Sequence, residues 1–394
     1  MNSNEEFDSA QDSALSSQGI ECSTSPTVKP NAAPWIGVDI GGANLKAAHS
    51  SGWSKSISFP MWKQPETLAV GIAQLLEEAP AFVGVGVTMT GELADCFATR
   101  SEGVLHILEQ TTLILPASMV RIYGVDGQWR TPSAAARVPW TVAASNWHAL
   151  ARVVGATYPK GMSLLVDIGS TTTDLIPIVD GNIAIEASTD SQRLQCGALV
   201  YTGIERSNVA AIVQRVPLYG SLCPVMNEYF AASRDVHIWL GDMPENDSDC
   251  DTSDGQPANR LGARHRIARV VGEDGSTLAD EDIDAIASCV RREQASLIAR
   301  AMQQVCTMSR SAKGKSKSSK LASQRPGSIP GECLTPDRII VCGHGSFLLE
   351  DALQIATWNI PKLEWSKMLG EGLSRCAPAY AIAVLAQEQL DYLA

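Results

Sequence analysis

Two stretches of the chain place an aspartate at the end of an apolar run, with a glycine turn directly after it. Asp39 and Asp167 each open the tripeptide Asp-Ile-Gly, so both stretches share one order of residue types. Glycine tolerates positive φ and lets backbone N–H groups come close to an oxyanion. Two such turns on facing elements could clamp a phosphate chain from both sides, which predicts a site for a phosphorylated small molecule.

The residues around each turn supply the groups that phosphate oxygens need. We predict phosphate contacts at Gly41, Gly42, Asn44, Lys46, Gly169, Ser170, Thr171, Thr172 and Thr173. Carboxylates are hard oxygen ligands suited to Mg²⁺, so the predicted metal ligands are Asp39, Asp167 and Asp174. The alternative for the first stretch is an ordinary hairpin turn with a capping aspartate. The alternative for the threonines of the second is packing within a strand.

A third glycine-containing stretch comes late in the chain. The apolar run 339–342 leads into Gly343-His344-Gly345-Ser346, and a helical pattern follows. We predict that these four residues let a flat or phosphorylated ligand lie against the backbone. Neither a P-loop nor a GxGxxG motif is present in the sequence, so the fingerprints of those nucleotide-binding folds are absent.

The elements that carry these turns alternate between strand and helix patterns. We predict strands over 35–40, 82–87, 163–168 and 338–342, a hairpin over 175–185, and helices over 67–78, 141–154, 282–307 and 378–392. Strands alternating with helices indicate an α/β fold. A chain of 394 residues should contain two globular lobes rather than one.

Composition limits the classes of partner. The net charge of −12 argues against nucleic acid, which requires a basic surface. No apolar run is long enough for a membrane span and no secretory signal is evident, so we expect a cytoplasmic protein. The ten cysteines form no CxxC pair and are expected to be reduced thiols. Residues 1–33 are predicted to be a disordered leader, 309–336 a basic insertion, and 244–258 a further loop.

Taken in order, the three glycine stretches resemble the actin, Hsp70 and sugar-kinase superfamily, in which two aspartate-bearing hairpins are the phosphate loops. The resemblance covers about residues 35–390. It implies two RNase H-like lobes, expected at 34–160 and 161–394, with the ligand in the cleft between them.

A closer resemblance rests on longer motifs. They are Gly86-Val87-Thr88-Met89-Thr90-Gly91-Glu92-Leu93-Ala94-Asp95-Cys96-Phe97, Asp167-Ile168-Gly169-Ser170-Thr171-Thr172-Thr173-Asp174, Thr189-Asp190 with Arg193-Leu194, and Val200-Tyr201-Thr202-Gly203. They resemble a hydantoinase/oxoprolinase-related branch linked to tetrahydromethanopterin-dependent one-carbon transfer. Archaeal members are similar to the methanofuran biosynthesis enzyme that joins an aminomethylfuran to γ-glutamyltyramine.

That resemblance implies a transferase in methanofuran biosynthesis. A phenol oxygen of a tyramine or tyrosine derivative would attack the methylene of an (aminomethyl)furan-methyl diphosphate, form an aryl ether and release pyrophosphate. Besides Asp39 and Asp167, the implied catalytic residues are Glu92 and Asp95, either of which could be the base, cap a helix or bind the amine. His344 is a third candidate for the base. The implied substrate contacts are Thr88, Thr90, Asp190 and Arg193, together with Gly343, His344, Gly345 and Ser346.

Two other functions fit the same turns. The first is an ATP-dependent small-molecule kinase or hydantoinase-like ATPase, and the second is a non-catalytic nucleotide-binding regulator. The sequence leaves open the phenolic acceptor, the use of ATP and the formation of homo-oligomers.

Overall fold

A computed structural model describes residues 34–313 and 335–390, with side-chain surroundings described for 34–307 and 335–390. The predicted leader, 1–33, lies outside the described residues, as does most of the predicted basic insertion. The strands are β1 Trp35–Ile40, β2 Asn44–His49, β3 Ser54–Ser58, β4 Gly84–Met89, β5 Val120–Tyr123, β6 Trp129–Arg130, β7 Met162–Ile168, β8 Thr173–Val179, β9 Asn182–Ile183, β10 Leu199–Val200, β11 Arg215–Leu218, β12 Ser221–Pro224, β13 Arg338–Gly343 and β14 Lys362–Glu364.

The helices surround and separate the strands. They are α1 Leu68–Leu76, α2 Arg100–Ile114, α3 Pro132–Ala135, α4 Pro139–Val142, α5 Asn146–Thr157, α6 Asp190–Cys196, α7 Val209–Ile212, α8 Ser233–Leu240, α9 Arg260–Arg269, α10 Asp280–Lys313, α11 Ser346–Ala356, α12 Trp365–Leu369, α13 Glu371–Arg375 and α14 Ala377–Leu390. Short 3₁₀ turns occupy Pro65–Thr67 and Gly91–Leu93. Within the described ranges, no helix has both the length and the apolarity needed to cross a bilayer.

Two large mixed sheets share one arrangement of strands. The first has the order β3-β2-β1-β4-β5-β6, and the second has the order β10-β8-β7-β13-β14 with β9 beside β8. In each, the leading strand (β1 or β7) pairs antiparallel with the strand that follows it and parallel with a later strand. Both leading strands are apolar runs that helices cover, as buried strands require. The predicted α/β fold with two lobes is therefore confirmed.

A pair of helices fills the space between the sheets. α14 packs on β1, β2 and β4 of the first sheet, α5 packs on β8 and β9 of the second, and the two helices contact each other. The predicted lobes are 34–160, which contains α5 and the first sheet, and 161–394, which contains α14 and the second sheet. This division of the chain stays a prediction. Each helix packs on the sheet of the other lobe, so the two lobes share one helical layer.

Glycine allows α14 to lie directly on the first sheet. A Cβ on Gly37 would lie 1.9 Å from the carbonyl oxygen of Ala379, and one on Gly86 would lie 2.7 Å from Cγ2 of Ile382. Because real carbon atoms do not approach so closely, any side chain at Gly37 would push the helix away from β1.

Residues between β10 and α10 form a third apolar core beside the second sheet. It contains the β11–β12 hairpin and helices α7, α8 and α9, which pack against α10. Fully buried Arg266 binds Asp235 at 2.7 Å and Asp254 at 3.0 Å, which ties the 244–258 loop to α8 and α9. The predicted loop is thus present, and ion pairs hold it in place.

Two predicted helices have different bounds in the structure. The pattern over 141–154 divides into α4 and α5, because the chain turns sharply at Ala144, which has a φ of 47°. The helix predicted over 282–307 extends to Lys313 as α10, so it takes in the first residues of the predicted basic insertion.

Replacing Gly37 with alanine should destabilise the protein, because the added methyl group would overlap the backbone of α14. Overpacking of this severity lowers the free energy of unfolding by about 3 kcal/mol. Urea denaturation followed by tryptophan fluorescence would measure the change. Gly42→Ala is the matched control, since its Cβ would meet no atom within 4 Å. Equal stability of the two variants would contradict the close packing of α14.

Candidate functional site

The first predicted turn joins β1 to β2 and holds Asp39 at its base. The N–H of Gly41 donates to the carbonyl oxygen of Asn44 at 3.0 Å and closes the turn. Asp39 and Lys46 are register partners across the hairpin, so both lie close to the turn on paired strands. The sequence folds this way because glycines separate two apolar runs of similar length.

The second turn repeats this geometry between β7 and β8. The N–H of Gly169 donates to the carbonyl oxygen of Thr172 at 2.9 Å, and Asp167 pairs in register with Asp174. Behind the turn, a Cβ on Gly203 would lie 2.5 Å from the backbone nitrogen of Thr171. The two Asp-Ile-Gly stretches are therefore equivalent in structure as well as in sequence.

The third glycine stretch packs on the back of the second turn. Backbone N–H groups of His344 and Gly345 both donate to the carbonyl oxygen of Ile168 at 3.2 Å. Gly343 has a φ of 77°, and a Cβ there would lie 2.3 Å from that same oxygen. Only glycine fits this position, which explains why a strand ending in glycine is needed here.

All three stretches line one cavity of about 120 Å³, called here the inner cavity. Its lining includes every predicted metal ligand and every predicted phosphate contact except Thr173: Asp39, Gly41, Gly42, Asn44, Lys46, Asp167, Gly169, Ser170, Thr171, Thr172 and Asp174. The predicted substrate contacts Thr90, Gly343 and His344 also line it, as do Ala43, Asn146, Arg375 and Pro378, which were not predicted. Asp39 and Asp167, which come from separate sheets, thus face the same cavity.

Four predicted contacts do not line the cavities described here. The hydroxyl of Thr173 donates to the carbonyl oxygen of Thr202, and that of Thr88 is 2.8 Å from the hydroxyl of Ser145. Both side chains are fully buried and hydrogen-bonded within the core. Gly345 packs against Ile168, and exposed Ser346 begins α11. Thr88, Thr173, Gly345 and Ser346 therefore support the site from behind.

The two facing carboxyl groups are poorly stabilised as anions. Burial raises the pKa of Asp39 to about 6, with Lys46 opposing the shift. Burial and the nearby Asp174 carboxylate raise the pKa of Asp167 to about 7. Oδ1 of Asp39 is buried and has no hydrogen-bond partner. Such an atom fits a cation or a proton, so Asp39 and Asp167 suit an ion that also binds phosphate oxygens.

Asp174 is the exception to the predicted metal set. Its carboxylate forms a buried ion pair with Arg193, so one of its oxygens is already occupied. Within the described residues, no group of three or more His, Cys, Asp or Glu side chains converges as a metal site. The predicted set of three aspartate ligands is therefore not found, and metal binding by Asp39 and Asp167 stays a prediction.

A larger cavity of about 340 Å³, the outer cavity, opens from the inner one and shares part of its lining, including Thr90, Thr171 and Thr172. Its other lining residues are Gly42, Ala43, Trp62, Glu92, Leu93, Ala94, Asp95, Ala144, Asn146, Asp174, Asp190, Arg193, Leu199, Tyr201 and Arg206. The predicted residues Glu92, Asp95, Asp190 and Arg193 are thus brought together. Apolar and aromatic side chains beside them suit an aromatic ligand.

Glu92 has the most unusual surroundings of these residues. It is 1% exposed, and its Oε2 atom has no hydrogen-bond partner. Burial raises its pKa to about 7, although Arg100, 3.7 Å away, opposes the shift. A carboxyl group that exchanges its proton near neutral pH is suited to general acid–base chemistry. Asp95, by contrast, is exposed at the rim.

Alternating charges link Glu92 to the inner cavity across both lobes. Arg100 at the start of α2 binds Asp190 at the start of α6 at 2.5 Å. Asp190 is 3.4 Å from Arg193, which pairs with Asp174. Of these contacts, the Arg100–Asp190 ion pair crosses from one lobe to the other and helps to hold them at one separation.

Sequence reasoning missed Arg100, Trp62, Glu205 and Arg206 as members of the site. Nε2 of His344 lies 3.2 Å from Glu205, which also binds Arg234 at 3.1 Å and has its pKa lowered to about 2. Arg100 and Glu205 each adjoin motifs that were recognised, but their partners lie on distant segments. The sequence gives no sign of these contacts.

Comparison with known proteins gives a consistent picture. The sequence profile of the hydantoinase/oxoprolinase family matches residues 84–321. A protein of Methanocaldococcus jannaschii is 32% identical over 90% of this chain and 98% of its own length, and it is named (4-{4-[2-(gamma-L-glutamylamino)ethyl]phenoxymethyl}furan-2-yl)methanamine synthase. A protein of Methanococcus vannielii with the same name is 30% identical over 58% of this chain and 92% of its own length.

Similarity to solved structures is more distant. The polyphosphate/ATP-glucomannokinase of Arthrobacter sp. strain KM is 15% identical, with a TM-score of 0.41, over 91% of this chain and 100% of its own length. The two-lobe assignment above rests instead on the strand orders of the two sheets.

The raised pKa of Asp167 makes protein stability depend on pH. Below pH 4 the carboxyl group is protonated in both the folded and unfolded states, whereas between pH 4 and 7 it ionises mainly in the unfolded state, which lowers stability. At pH 8, Asp167→Asn should therefore have a higher free energy of unfolding than the wild type. In a chelator-containing buffer, this gain over the wild type should exceed the gain measured at pH 4 by on the order of 1–3 kcal/mol.

Asp126→Asn provides the opposite control, because Arg130 lowers the pKa of Asp126. That variant should lose stability at pH 8. Denaturation curves at several pH values would measure both effects, and loss of stability at pH 8 in Asp167→Asn would contradict the raised pKa of Asp167.

Proposed function

We propose that this chain, which belongs to the hydantoinase/oxoprolinase family, is an aryl ether-forming transferase that makes a methanofuran precursor. Its relatives are named as synthases of a furan-2-yl methanamine that carries a phenoxymethyl group. The structure offers two adjoining cavities, one suited to phosphate and the other to an aromatic group. The observation that carries the proposal is that Asp39 and Asp167 face one cavity between two glycine turns.

The reaction forms one bond and breaks another at a single carbon. The phenol oxygen of the acceptor attacks the methylene carbon of an (aminomethyl)furan-methyl diphosphate. The carbon–oxygen bond to the diphosphate breaks, its electron pair leaves with pyrophosphate, and the phenol proton passes to a base. Furan and phenol are then joined by an aryl ether, the linkage that the name of the relatives contains.

The inner cavity is the proposed site of the diphosphate. Amides and hydroxyls of the two turns surround it, and Lys46 adds a positive charge. Charge grows on the leaving oxygens as the bond breaks, so preorganised donors stabilise the transition state more than the ground state. Asp39 and Asp167 would hold Mg²⁺, which when bound neutralises part of the charge on the diphosphate.

Glu92 is the proposed base for the phenol. A phenol has a pKa of about 10, so it needs help to lose its proton at neutral pH. Glu92 lines the outer cavity with one free carboxylate oxygen and a pKa near 7. Asp95 and Asp190 add negative charge to the same cavity, which suits the ammonium group of the donor. His344 lines the inner cavity, and its Nε2 atom contacts Glu205. It is therefore placed to act at the diphosphate rather than at the phenol.

The proposed compartment is the cytoplasm, as the sequence predicts. The eight cysteines in the described part of the chain are free thiols, which is consistent with a reducing environment.

Product analysis would test the reaction directly. Purified protein with Mg²⁺, the furan diphosphate and γ-glutamyltyramine should give the ether and pyrophosphate without ATP, as measured by mass spectrometry. Asp39→Asn and Asp167→Asn should each lower kcat at least a hundredfold, because they remove charge from the diphosphate cavity. Asp126→Asn should keep wild-type activity. Phosphate release from ATP with no ether product would establish the kinase or ATPase alternative instead.

The pH dependence of the reaction should report the proton acceptor. With saturating Mg²⁺, kcat of the wild type should fall below about pH 7, where Glu92 becomes protonated. Glu92→Gln should lower kcat by about 10²–10⁴-fold and remove this acid limb. Asp95→Asn is the control and should retain the limb. If Glu92→Gln kept both the rate and the limb, another residue would be the base.

A further inference from the structure

Arg206 stands at the junction of the outer cavity with a third cavity of about 400 Å³, called here the side cavity. Its guanidinium carbon lies 4.1 Å from the centre of the Trp62 ring. Arg206 follows β10 on the second lobe, and Trp62 follows β3 on the first, so the stacked pair spans the cleft. The three cavities meet at Ala43, which lines all of them.

Arg206 is the cation of the outer and side cavities that has no carboxylate partner among the described residues. Among the described residues, the neighbouring cations pair with carboxylates: Lys63 with Asp251 at 3.3 Å, Arg193 with Asp174, and Arg234 with Asp249 at 2.8 Å. No ion pair to Arg206 forms within that described part of the chain. Its guanidinium keeps its hydrogen-bond donors free while the Trp62 ring covers one face.

The carboxylates of the side cavity are also occupied. Asp235 binds Arg266 at 2.7 Å, Asp251 binds Lys63, and Glu205 binds Arg234 and His344. These anions therefore do not compete strongly for Arg206. The charge left available to a ligand at the junction is positive, which indicates an anionic ligand group.

The position of Arg206 is fixed relative to the diphosphate cavity. Its backbone N–H donates to the carbonyl oxygen of Ser170 at 3.1 Å, and that of Glu205 donates to the same oxygen at 2.9 Å. Ser170 belongs to the second glycine turn. Because the chain is anchored there and the ring of Trp62 restrains the side chain, the guanidinium is preorganised relative to the second glycine turn.

We propose that Arg206, held on Trp62, binds a carboxylate of the phenolic acceptor and so selects acceptors with an acidic group remote from the phenol. The inference rests on the proposed function and names the class of its second substrate. The phenol would lie in the outer cavity near Glu92, and its substituent would pass Trp62 toward the side cavity. A guanidinium binds a carboxylate through two parallel hydrogen bonds, which an ammonium cannot reproduce.

The carboxylate could sit at either of two places on the acceptor. One is the α-carboxylate of a γ-glutamyl group, and the other is the carboxylate of tyrosine itself. Two acceptor pairs separate these sources, since the members of each pair differ only by the carboxylate. The pairs are γ-glutamyltyramine with 4-aminobutanoyl-tyramine, and tyrosine with tyramine.

Steady-state kinetics of the four acceptors with wild type, Arg206→Met and Arg206→Lys would test the proposal. Arg206→Met should raise KM for the carboxylate-bearing member of one pair by about 10- to 100-fold and leave KM for the partner without the carboxylate within about twofold. The rise in KM should be smaller in Arg206→Lys than in Arg206→Met. Trp62→Leu should also raise KM for the carboxylate-bearing member, but by less than Arg206→Met does. Arg300→Met is the control, because Arg300 lies exposed on α10 and should affect neither member.

The pair that responds identifies where the carboxylate lies. An equal rise in KM for acceptors with and without the carboxylate would overturn the proposal, as would no change in Arg206→Met. Calorimetric binding of γ-glutamyltyramine and tyrosine to the wild type and to both Arg206 variants gives a readout independent of turnover. If the wild type formed no ether with any acceptor, the proposed function would fail, and selective loss of binding in Arg206→Met would still support the carboxylate site.

Discussion

Burial of two carboxyl groups at one small cavity is the constraint on which the site depends. Asp39 and Asp167 come from different sheets, face one small cavity, and receive only partial compensation from Lys46. The proposed cation would compensate these carboxyl groups, and the proposed diphosphate would in turn bind that cation. The glycine turns, the shared helical layer and the charge chain between the lobes all hold these two groups opposite each other.

Electrostatic contacts across the cleft connect the two cavities in one network. Arg100 lies near the proposed base and binds Asp190. Arg193 contacts Asp190 and pairs with Asp174, which lines the inner cavity. Any movement that separates the lobes would break the Arg100–Asp190 contact and the Trp62–Arg206 stack together. The proposed base and the proposed acceptor site are thereby tied to the same arrangement of the lobes.

Much of the fold and of the inner cavity could be predicted from local sequence. The Asp-Ile-Gly repeats mark strand ends because an apolar run followed by glycine has few other conformations, and the strand before Gly343 obeys the same rule. The ion pair of Asp174 was not predictable, since nothing near it in sequence indicates that Arg193 folds onto it. Trp62 and Arg206 lie too far apart in sequence for a local pattern to predict that they stack. The break at Ala144 was missed because the helical periodicity continues through it.

The packing of α14 on β1 has a consequence for how the protein is made. β1 leaves the ribosome early, whereas the helix that covers it is synthesised after nearly all the other described elements. Until then the glycine-bearing strand has no permanent cover on that face, and contacts so distant in sequence form slowly. The nascent first lobe therefore has an exposed apolar face until α14 is made, and such a face is prone to aggregation during translation.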